Sequence, residues 1–454
     1  MSRSRVQIAA RDTAITGSLS FPLFVGTIHF LIVQIAASLA FHYGTPTATS
    51  APFNRQIGAE RPMTGFIGDL VSPLRLWDGL WYKLIAERGY GFADANAAFW
   101  PLFPWLMRLG HNVTGWAPET VGWIIANVSF FGALILLYRL VSLDFDSRVA
   151  RRTLWAIALF PTALFFSAVY TESLFLMLAV GALLAARRGN WWLAGIVGAF
   201  AALTRSYGVL LLIPFAVLFL QQYGFALRRW FPNAIAAALP ALGPAIFGWH
   251  LSRAGKFLGL HIIRTDHFVS IHRDKPPGNW RLFIDVQNQW YRTSANLIQT
   301  LDCAINGCKL KLSVYGRTWM QPVDKADWSW IRDAIHHPHW AYITSESYRL
   351  KVANSDTLEL VSTILFLVLA VVGLKLLPLY QSAYLIPGLV IPLFDPSTVH
   401  PLMSMPRFGL TLFPLFIIIA LLVKDRRLGI PLAIASTCLL VIFTVQFAQW
   451  YWVS

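Results

Sequence analysis

The sequence predicts an all-α protein that crosses a membrane many times. Three observations support this fold class: 56% of the 454 residues are hydrophobic, only 13% are charged, and the apolar residues occur in long runs. Soluble domains are only roughly 45–50% apolar. The mean hydropathy of +0.55 agrees with this interpretation. The composition therefore excludes an ordinary cytosolic globular domain.

The candidate membrane spans follow from the apolar runs. A transmembrane helix needs about 20 predominantly apolar residues, because lipid cannot satisfy the polar groups of its backbone. By this criterion we expect about eleven spans, near residues 20–42, 120–141, 153–169, 173–186, 191–204, 207–222, 233–251, 357–374, 379–394, 408–423 and 430–449. Those near 173, 191 and 379 are short and could be re-entrant. The first span lacks a cleavage pattern, so we expect a permanent anchor.

The distribution of basic residues predicts the orientation of the spans. Every second short loop is basic, which is typical of cytoplasmic loops. The residues concerned are Arg3, Arg5, Arg11, Arg148, Arg151, Arg152, Arg187, Arg188, Arg228, Arg229, Lys375, Lys424, Arg426 and Arg427. The long segments of about 44–118 and 252–356, and the turns at 170–173, 205–206 and 395–407, then face outward. The net charge of +15 is partly this topology signal, and no nucleic-acid motif accompanies it.

We expect three regions along the chain. Residues 1–251 form an N-terminal transmembrane module that includes the outer loop, residues 252–356 form an extracytoplasmic cap, and residues 357–454 form the C-terminal helices. The cap segment contains many tryptophans, which argues against disorder. These indoles could form a carbohydrate-stacking surface or anchor helices in the membrane interface. We prefer a mixture of both, as a cap on the acceptor side.

Ionisable residues gather at the predicted outer ends of the spans. Such residues are costly in a membrane, so each is a hypothesis for a functional site. The outer set comprises Asp69, Asp78, Tyr170, Glu172, Arg205, His400 and Arg407. The predicted cytoplasmic loops hold mostly Arg and Lys, as topology alone requires. The sequence therefore places the working face outside.

The first outer loop contains the most informative stretch, residues 75–91. Its apolar residues recur at helical spacing from Trp77, which predicts an amphipathic helix in the membrane interface that ends at Gly89. Asp78 begins this helix, where the helix dipole favours a carboxylate, and Gly79 would leave room for a ligand. Alternatively, Asp78 merely caps a surface helix, since Asp is a preferred N-cap residue.

Four ordered motifs resemble those of one known family. They are WDGLWYKLIAERGY followed by FWPLFP, then FPTALFFSAVYTESLF, then ALTRSYG, and finally SMPRFGLTLFP. This set resembles the GPI mannosyltransferase 2 (PIG-V-like) family and its bacterial relatives, membrane enzymes of the glycosyltransferase C superfamily. The resemblance covers roughly residues 20–220 and 357–449. The segment 252–356 has no counterpart, which leaves the choice of acceptor open.

The resemblance implies an inverting transfer of a hexose, with mannose expected, from a polyprenyl-phosphate donor to an acceptor hydroxyl on the non-cytoplasmic side. The partners would be that donor, a glycan, lipid or protein acceptor, and membrane lipids. In a bacterium this places the protein in the inner membrane with its site facing the periplasm. No nucleotide is expected, because the sugar arrives on lipid and the chain has no Gly-rich phosphate loop beside a strand.

Candidate roles follow from the chemistry of such a transfer. The acceptor hydroxyl needs a carboxylate base, for which Asp78 is the first candidate and Asp69 the reserve. The leaving phosphate is best stabilised by arginine, and Arg205 and Arg407 fit, although each could instead be an interfacial arginine at a lipid headgroup. The expected wall on the sugar side consists of Trp77, Trp81 and Tyr82. The basic residues Arg75 and Lys83 are weaker candidates.

Three further outer residues are assigned to substrate binding with structural alternatives. Tyr170 and Glu172 fall at a tight turn, where Glu172 needs a partner such as one of the arginines or a sugar hydroxyl, and a structural ion pair is the favoured interpretation. His400 could orient an acceptor or serve a structural purpose. We assign no metal, because Pro338 interrupts the His336–His339 tract. Cys303 and Cys308 could close a small loop, which spacing does not decide.

Two other classes of protein compete with this interpretation. A transporter or lipid-linked sugar flippase would also carry intramembrane charges and broken helices. Transporters often contain inverted repeats, and the sequence shows none. A non-catalytic scaffold subunit is the third possibility, in which Asp78 would tolerate substitution.

Overall fold

The computed structural model describes residues 19–44, 63–90, 94–225, 230–253, 292–314, 317–328, 356–451 and 453. Over these residues the protein is a helical bundle with one short β-hairpin. The fold class predicted from composition is therefore confirmed. The His336–His339 tract and several cap tryptophans lie outside the described residues, as does the loop with Arg228 and Arg229.

The first half of the chain contributes eleven α-helices. They are α1 (Ser20–Tyr43), α2 (Gly65–Val71), α3 (Asp78–Arg88), α4 (Leu102–Thr114), α5 (Pro118–Asp144), α6 (Ser147–Ala158), α7 (Glu172–Arg187), α8 (Trp191–Thr204), α9 (Leu212–Tyr223), α10 (Asn233–Ala238) and α11 (Leu242–Arg253), counted over the described ranges. A 3₁₀ segment at Ser206–Leu211 leads directly into α9.

The second half adds the hairpin and the remaining helices. They are α12 (Leu297–Asn306), β1 (Cys308–Val314), β2 (Arg317–Val323), α13 (Asp356–Leu376), α14 (Leu379–Val390), α15 (Met405–Leu410), α16 (Pro414–Leu422) and α17 (Arg426–Ala448). The two strands are antiparallel, with Cys308 opposite Val323. A 3₁₀ turn at Ile391–Phe394 follows α14.

Six helical segments are long and apolar enough to cross a membrane. They are Ser20–Tyr43, Pro118–Asp144, Ser206–Tyr223, Asn233–Leu251, Asp356–Leu376 and Arg426–Ala448, among the described residues. Their outer faces carry exposed apolar side chains such as Phe24, Val128 and Val371. Lipid is the solvent in which such a surface is stable. The protein is therefore an integral membrane protein, while the expected number of eleven spans stays a prediction.

One expected span is interrupted. The apolar run at 153–169 predicts a single helix, but α6 ends at Ala158 and turns occupy the residues up to Thr171. Pro161 supplies the reason, because proline has no N–H group for a helical hydrogen bond and clashes with the preceding turn. The turns bring Tyr170 and the start of α7 under α3, where Val169 N–H donates to the carbonyl of Leu74 at 2.9 Å.

The apolar side of α3 packs against protein. Leu80, Trp81, Leu84 and Ile85 are all at most 5% exposed, and the helix packs between α4, α5 and the turn before α7. Phe99, which follows the helix, stacks on Trp81. Glu87 and Arg88 on the other side are exposed, as an amphipathic helix requires, and the position of α3 in the membrane interface stays a prediction. The predicted boundaries hold, because α3 begins at Asp78 and ends before Gly89 at φ 78°.

The hairpin and α12 rest on the loop that follows α14. Thr293 N–H donates to the carbonyl of Pro396 at 3.0 Å, Thr300 Oγ1 donates to Leu393 O at 2.7 Å, and Asp324 N–H donates to Val399 O at 3.1 Å. A disulfide joins Cys303 to Cys308, which answers the question that spacing left open. This part of the cap is thereby held beside residues 391–403. Its role on the acceptor side, and the division into three regions, stay predictions.

Candidate active site

A cavity of about 470 Å³ lies where the N-terminal half, the cap and the C-terminal half of the bundle meet. One part of its lining is apolar, with Val209, Leu210, Ile391 and Pro392. The other part is charged, and its ionisable groups are Asp78, Glu172, Arg205, Arg292, Asp395 and Arg407. The cavity thus joins an apolar surface to a cluster of charges, as a ligand with a lipid chain and an ionic head would require.

Four of the charged residues form a continuous ionic network. Arg407 Nη1 donates to Asp78 Oδ2 at 2.5 Å, and Arg205 Nη1 donates to Glu172 Oε1 at 2.5 Å. Arg407 Nε also lies 3.6 Å from Glu172 Oε1, which links the two pairs. All four side chains are at most 12% exposed, so each charge depends on its partner. The four residues were selected from the sequence separately, and the fold brings them together.

The start of α3 fixes the position of Asp78. The backbone N–H of Asp78 donates to the hydroxyl of Tyr170 at 3.1 Å, and that hydroxyl donates to the carbonyl of Leu76 at 3.3 Å. The preceding residue, Trp77, has φ 56°, a conformation that costs a non-glycine residue on the order of 1–3 kcal/mol. Backbone strain of this kind is concentrated at functional sites. The strain at Trp77 turns the chain so that Asp78 enters the cavity at the helix start.

A second strained residue precedes the partner arginine. Ser404 has φ 70° and directly precedes α15, which carries Arg407. The carboxylate of Glu359 accepts the N–H of Ser404 at 2.9 Å. Burial lowers the pKa of Arg407, but the charges of Asp78 and Glu172 outweigh it and raise that pKa above its ordinary value. Arg407 therefore stays cationic in the buried site.

Thr171 and Tyr82 complete the wall beside Arg205. Arg205 Nη1 donates to Thr171 Oγ1 at 3.2 Å, and Tyr82 Oη lies 3.3 Å from the same oxygen. Burial, assisted by the charges of Glu172 and Asp78, raises the pKa of Tyr82 well above its usual range. The Tyr82 hydroxyl therefore remains protonated and can donate a hydrogen bond to a ligand.

Three of the aromatic residues selected from the sequence lie behind the cavity surface. Trp77 packs against Trp450 with ring centroids 5.8 Å apart, and Trp81 stacks on Phe99 at 5.8 Å. Tyr170 supports Asp78 from below rather than lining the cavity. The aromatic residues that line the cavity are instead Tyr82, Phe99, Trp100, Tyr207 and Phe408.

The expectation that Gly79 leaves room for a ligand is wrong. A Cβ atom built there would meet the backbone oxygen of Val169 at 3.4 Å. Gly79 therefore faces the turn before α7 at ordinary van der Waals distance rather than a ligand space. Phe99 and Trp100, which follow α3 in the chain, line the cavity and provide the surface that a ligand could contact.

Several other candidates lie outside the cavity. Asp69 is partly buried on α2 and does not line it. Arg75 Nη1 and Lys83 Nζ lie 2.5 Å and 2.8 Å from Glu119 Oε1, in a separate buried cluster. Arg75 and Lys83 are held at the edge of α3 because both pair with Glu119 of α5. These ion pairs connect α3 to α5.

His400 lies beside the cap rather than in the cavity. Its Nδ1 atom lies 3.2 Å from Asp356 Oδ1. Burial lowers the pKa of His400, but the bond to Asp356 and the charges of Glu359, Asp356 and Asp324 raise it to about 9. Possible ligand atoms of Asp324, Asp356 and His400 lie within 4.8 Å of one another, so these residues could hold a metal ion. The ion pair accounts for the same geometry, and we assign no ion.

We expect the His400 ion pair to stabilise the fold in a pH-dependent manner. The folded-state pKa is raised, so the stabilisation is fully present below about 6.5 and is lost as the pH rises through about 9. His400→Gln should therefore lower the free energy of unfolding by on the order of 2 kcal/mol at pH 6 and hardly at all at pH 10.

Denaturant titrations at the two pH values measure this difference. The exposed His111 provides a control, because its ring bonds the carbonyl of Trp116 rather than a carboxylate. His111→Gln should change stability equally at both pH values. A His400→Gln effect that does not depend on pH would contradict the assignment of the ion pair.

Two charged residues of the cavity lining were not selected from the sequence. Asp395 follows the predicted span 379–394 in a predicted outer loop, so the criterion that selected Asp78 could also have selected Asp395. Arg292 lies in the segment without a family counterpart, and no spacing singles it out among the other basic residues there. Only the contact between the cap and residues 395–403 places Arg292 in the cavity.

The fold and the cavity define a class: this is a polytopic membrane protein whose helical bundle encloses a site with paired carboxylates and arginines. Residues 15–234 match the model of the mannosyltransferase (PIG-V) family. In this region the chain is similar to that family, in agreement with the resemblance of the motifs. The match contains Asp78, Glu172 and Arg205, whereas Arg292 and Arg407 lie beyond it.

Curated relatives agree with the family match. The chain is 29% identical over 185 residues to GPI mannosyltransferase 2 of Yarrowia lipolytica (strain CLIB 122 / E 150), which covers 40% of this chain and 47% of that protein. It is 31% identical to GPI alpha-1,6-mannosyltransferase 2 of Rattus norvegicus over 151 residues and of Mus musculus over 150 residues. These two alignments cover 31% of this chain and 30% of each relative. The chain therefore aligns with less than half the length of these relatives.

Proposed function

We propose that the protein is a membrane glycosyltransferase that moves a hexose, mannose first among the candidates, from a polyprenyl-phosphate donor to an acceptor hydroxyl with inversion. The site would face the exterior, which is the periplasm in a bacterium. The observation that carries this proposal is the joining of Asp78, Arg407, Glu172 and Arg205 in one cavity with an apolar side. The match to the mannosyltransferase (PIG-V) family supports the class of reaction.

Asp78 serves as the base in this proposal. Arg407 holds Asp78 Oδ2, and no hydrogen bond within the described residues engages Oδ1, which leaves one carboxylate oxygen for the acceptor proton. Glu172 is less suited, because Oε1 contacts both arginines and Oε2 is buried with no partner among the described residues. A base must reach the proton it removes, which the more accessible carboxylate can do.

The transfer proceeds as a single displacement at the anomeric carbon. The acceptor oxygen forms a bond to that carbon while Asp78 takes its proton, and the bond from the carbon to the phosphate oxygen breaks. The leaving phosphate keeps the electron pair and gains a negative charge. Arg205 and Arg407, fixed beforehand by their carboxylate partners, stabilise that charge where it develops. The hydroxyl of Tyr82 and the rings of Phe99 and Trp100 form the wall for the sugar.

A donor-consumption assay tests the proposed function. Purified protein in nanodiscs is incubated with radiolabelled polyprenyl-phosphate mannose and a panel of glycan, lipid and peptide acceptors. We expect release of polyprenyl phosphate together with a labelled product. The glucose analogue of the donor serves as the matched control for sugar choice.

Two outcomes would contradict the proposal. Failure of the wild-type protein with every lipid-linked sugar, accompanied by movement of the labelled lipid between leaflets, would indicate a flippase instead. Transfer that survives unchanged in Asp78→Asn would assign the base to a different residue. A loss of transfer in Asp78→Asn is separated from misfolding by unfolding curves of the variant and the wild-type protein.

A further inference from the structure

A third arginine reaches the cavity from the cap segment. Arg292 Nη1 donates to the carbonyl of Asp395 at 2.8 Å, and Nη2 lies 3.4 Å from the carbonyl of Met403. These two bonds fix the guanidinium at the rim formed by the loop after α14. Arg292 is only partly buried and lines the same cavity as Arg205 and Arg407. The fold therefore supplies a cation that the proposed function has not used.

The charge of Arg292 is balanced differently from those of the other two arginines. Arg205 and Arg407 each have a carboxylate oxygen at 2.5 Å. Among the described residues, no carboxylate oxygen lies within 4.0 Å of the Arg292 guanidinium, and its partners are neutral carbonyls. A phosphate can therefore bind Arg292 without displacing an existing ion pair. Binding to Arg205 or Arg407 would have to compete with Glu172 or Asp78.

The donors of Arg292 also suit a phosphate. A guanidinium has five N–H groups in a rigid fork, and after the two carbonyl bonds three of them have no partner among the described residues and can serve bidentate recognition. The Cζ atoms of Arg205, Arg292 and Arg407 lie 5.7, 5.8 and 5.7 Å from the centroid of one ring, that of Phe408. All three cations thus surround Phe408. An anion held by Arg292 stays beside the arginines that stabilise the leaving group.

The apolar lining continues on the Arg292 side of the cavity. Ile391 and Pro392 begin the turn that ends just before Asp395, whose carbonyl accepts the Arg292 bond. Ile391 is 45% exposed and lines the cavity, and Phe394 at the end of the same turn is 48% exposed, so the turn joins the cavity to an exposed apolar surface. A prenyl chain lying along it would bring its phosphate to Arg292.

We propose that Arg292 binds the phosphate of the lipid-linked donor and holds it while the sugar is transferred. This inference rests on the proposed function for its reaction, but the binding it describes can be measured separately. The donor phosphodiester carries one negative charge, and the polyprenyl phosphate released from it can carry two. Arg292 should consequently bind the product more tightly than the donor.

Direct binding of radiolabelled polyprenyl phosphate to protein in nanodiscs tests this inference. We expect Arg292→Gln to weaken that binding at least tenfold and Arg292→Lys to give an intermediate value, because lysine keeps the charge but lacks the fork. Neutral polyprenol should bind wild type and both variants equally. Lys309→Gln is the matched control, since Lys309 is an exposed cation on β1 of the same cap segment.

Kinetics with the labelled donor provide the second measurement. Arg292→Gln should raise the donor KM roughly 10- to 100-fold and raise the inhibition constant of polyprenyl phosphate by more than that, with a smaller change in kcat. If Arg292 had only a structural role, the substitution would lower kcat and leave the ratio of the donor KM to the inhibition constant of polyprenyl phosphate unchanged. Unfolding curves for both variants identify any loss of folded protein.

The possible outcomes separate the two proposals. Equal binding of polyprenyl phosphate by Arg292→Gln and wild type would overturn the inference even if transfer is observed. Arg292-dependent binding without transfer of any sugar would uphold the inference and refute the proposed function. Binding of inorganic phosphate alone, with no preference for the lipid-linked form, would also overturn it.

Discussion

Replacing Asp78 with asparagine is expected to reduce kcat for sugar transfer by about 10²- to 10⁴-fold, the range typical of losing a general base. Asparagine has nearly the same shape and still offers an oxygen to Arg407 Nη1, so the hydrogen bond seen at 2.5 Å can be retained in neutral form. The loss would therefore come from basicity. The donor-consumption assay at saturating donor measures the effect.

Two other carboxylates are informative controls for this substitution. Asp69→Asn should change kcat less than twofold, because Asp69 on α2 does not line the cavity. Asp395→Asn is the more demanding comparison. Burial raises the pKa of Asp395 against the opposing charge of Arg292, and Asp395 lines the cavity. A large loss in Asp395→Asn combined with normal turnover in Asp78→Asn would transfer the role of base to Asp395.

Replacing Arg407 with glutamine is expected to abolish transfer and to lower the free energy of unfolding by about 3–5 kcal/mol. Arg407 is 9% exposed and compensates both Asp78 and Glu172, so its loss leaves buried negative charge without a partner. Titration with a denaturing detergent in mixed micelles measures the stability. Transfer is measured at a temperature where the variant remains folded.

A double variant separates the two effects of Arg407. Asp78→Asn combined with Arg407→Gln removes both charges of one pair, so much of the lost stability should return while transfer stays absent. Arg187→Gln is a matched control at another ion pair, because Arg187 Nε lies 3.0 Å from Asp144 Oδ1 well outside the cavity. It should lower stability by less and leave transfer intact. If the losses of stability in the two single variants simply added in the double variant, the pairing of Asp78 with Arg407 would be contradicted.

His400 shows that a sequence can predict the loop in which a residue lies without predicting the contacts of its side chain. The sequence predicts that His400 and Arg407 lie in one outer loop, residues 395–407. Backbone bonds around Ser397 and the carboxylate of Asp356 then direct the two side chains to different neighbours. Proximity along a loop does not specify which way a side chain turns.

Several properties followed from the sequence by itself. Apolar runs and the scarcity of charge determined an all-α membrane protein, because lipid forces every backbone polar group into a hydrogen bond within a helix. The motifs indicated a resemblance to one family, and the match over residues 15–234 agrees with it. The same motifs supplied Asp78, Glu172, Arg205 and Arg407 as the charged residues to examine. Each of these inferences uses local composition or an ordered string of residues.

The tertiary structure alone decided which of these residues meet. Asp78 and Arg407 are 329 positions apart, and Arg292 joins them from a segment that no motif covers. It also showed that the apolar side of α3 packs against protein, where Phe99 stacks on Trp81. Side-chain periodicity describes one helix at a time. Contacts between distant segments depend on how all the helices pack, and a buried charge can remain ionised only where that packing supplies its partner.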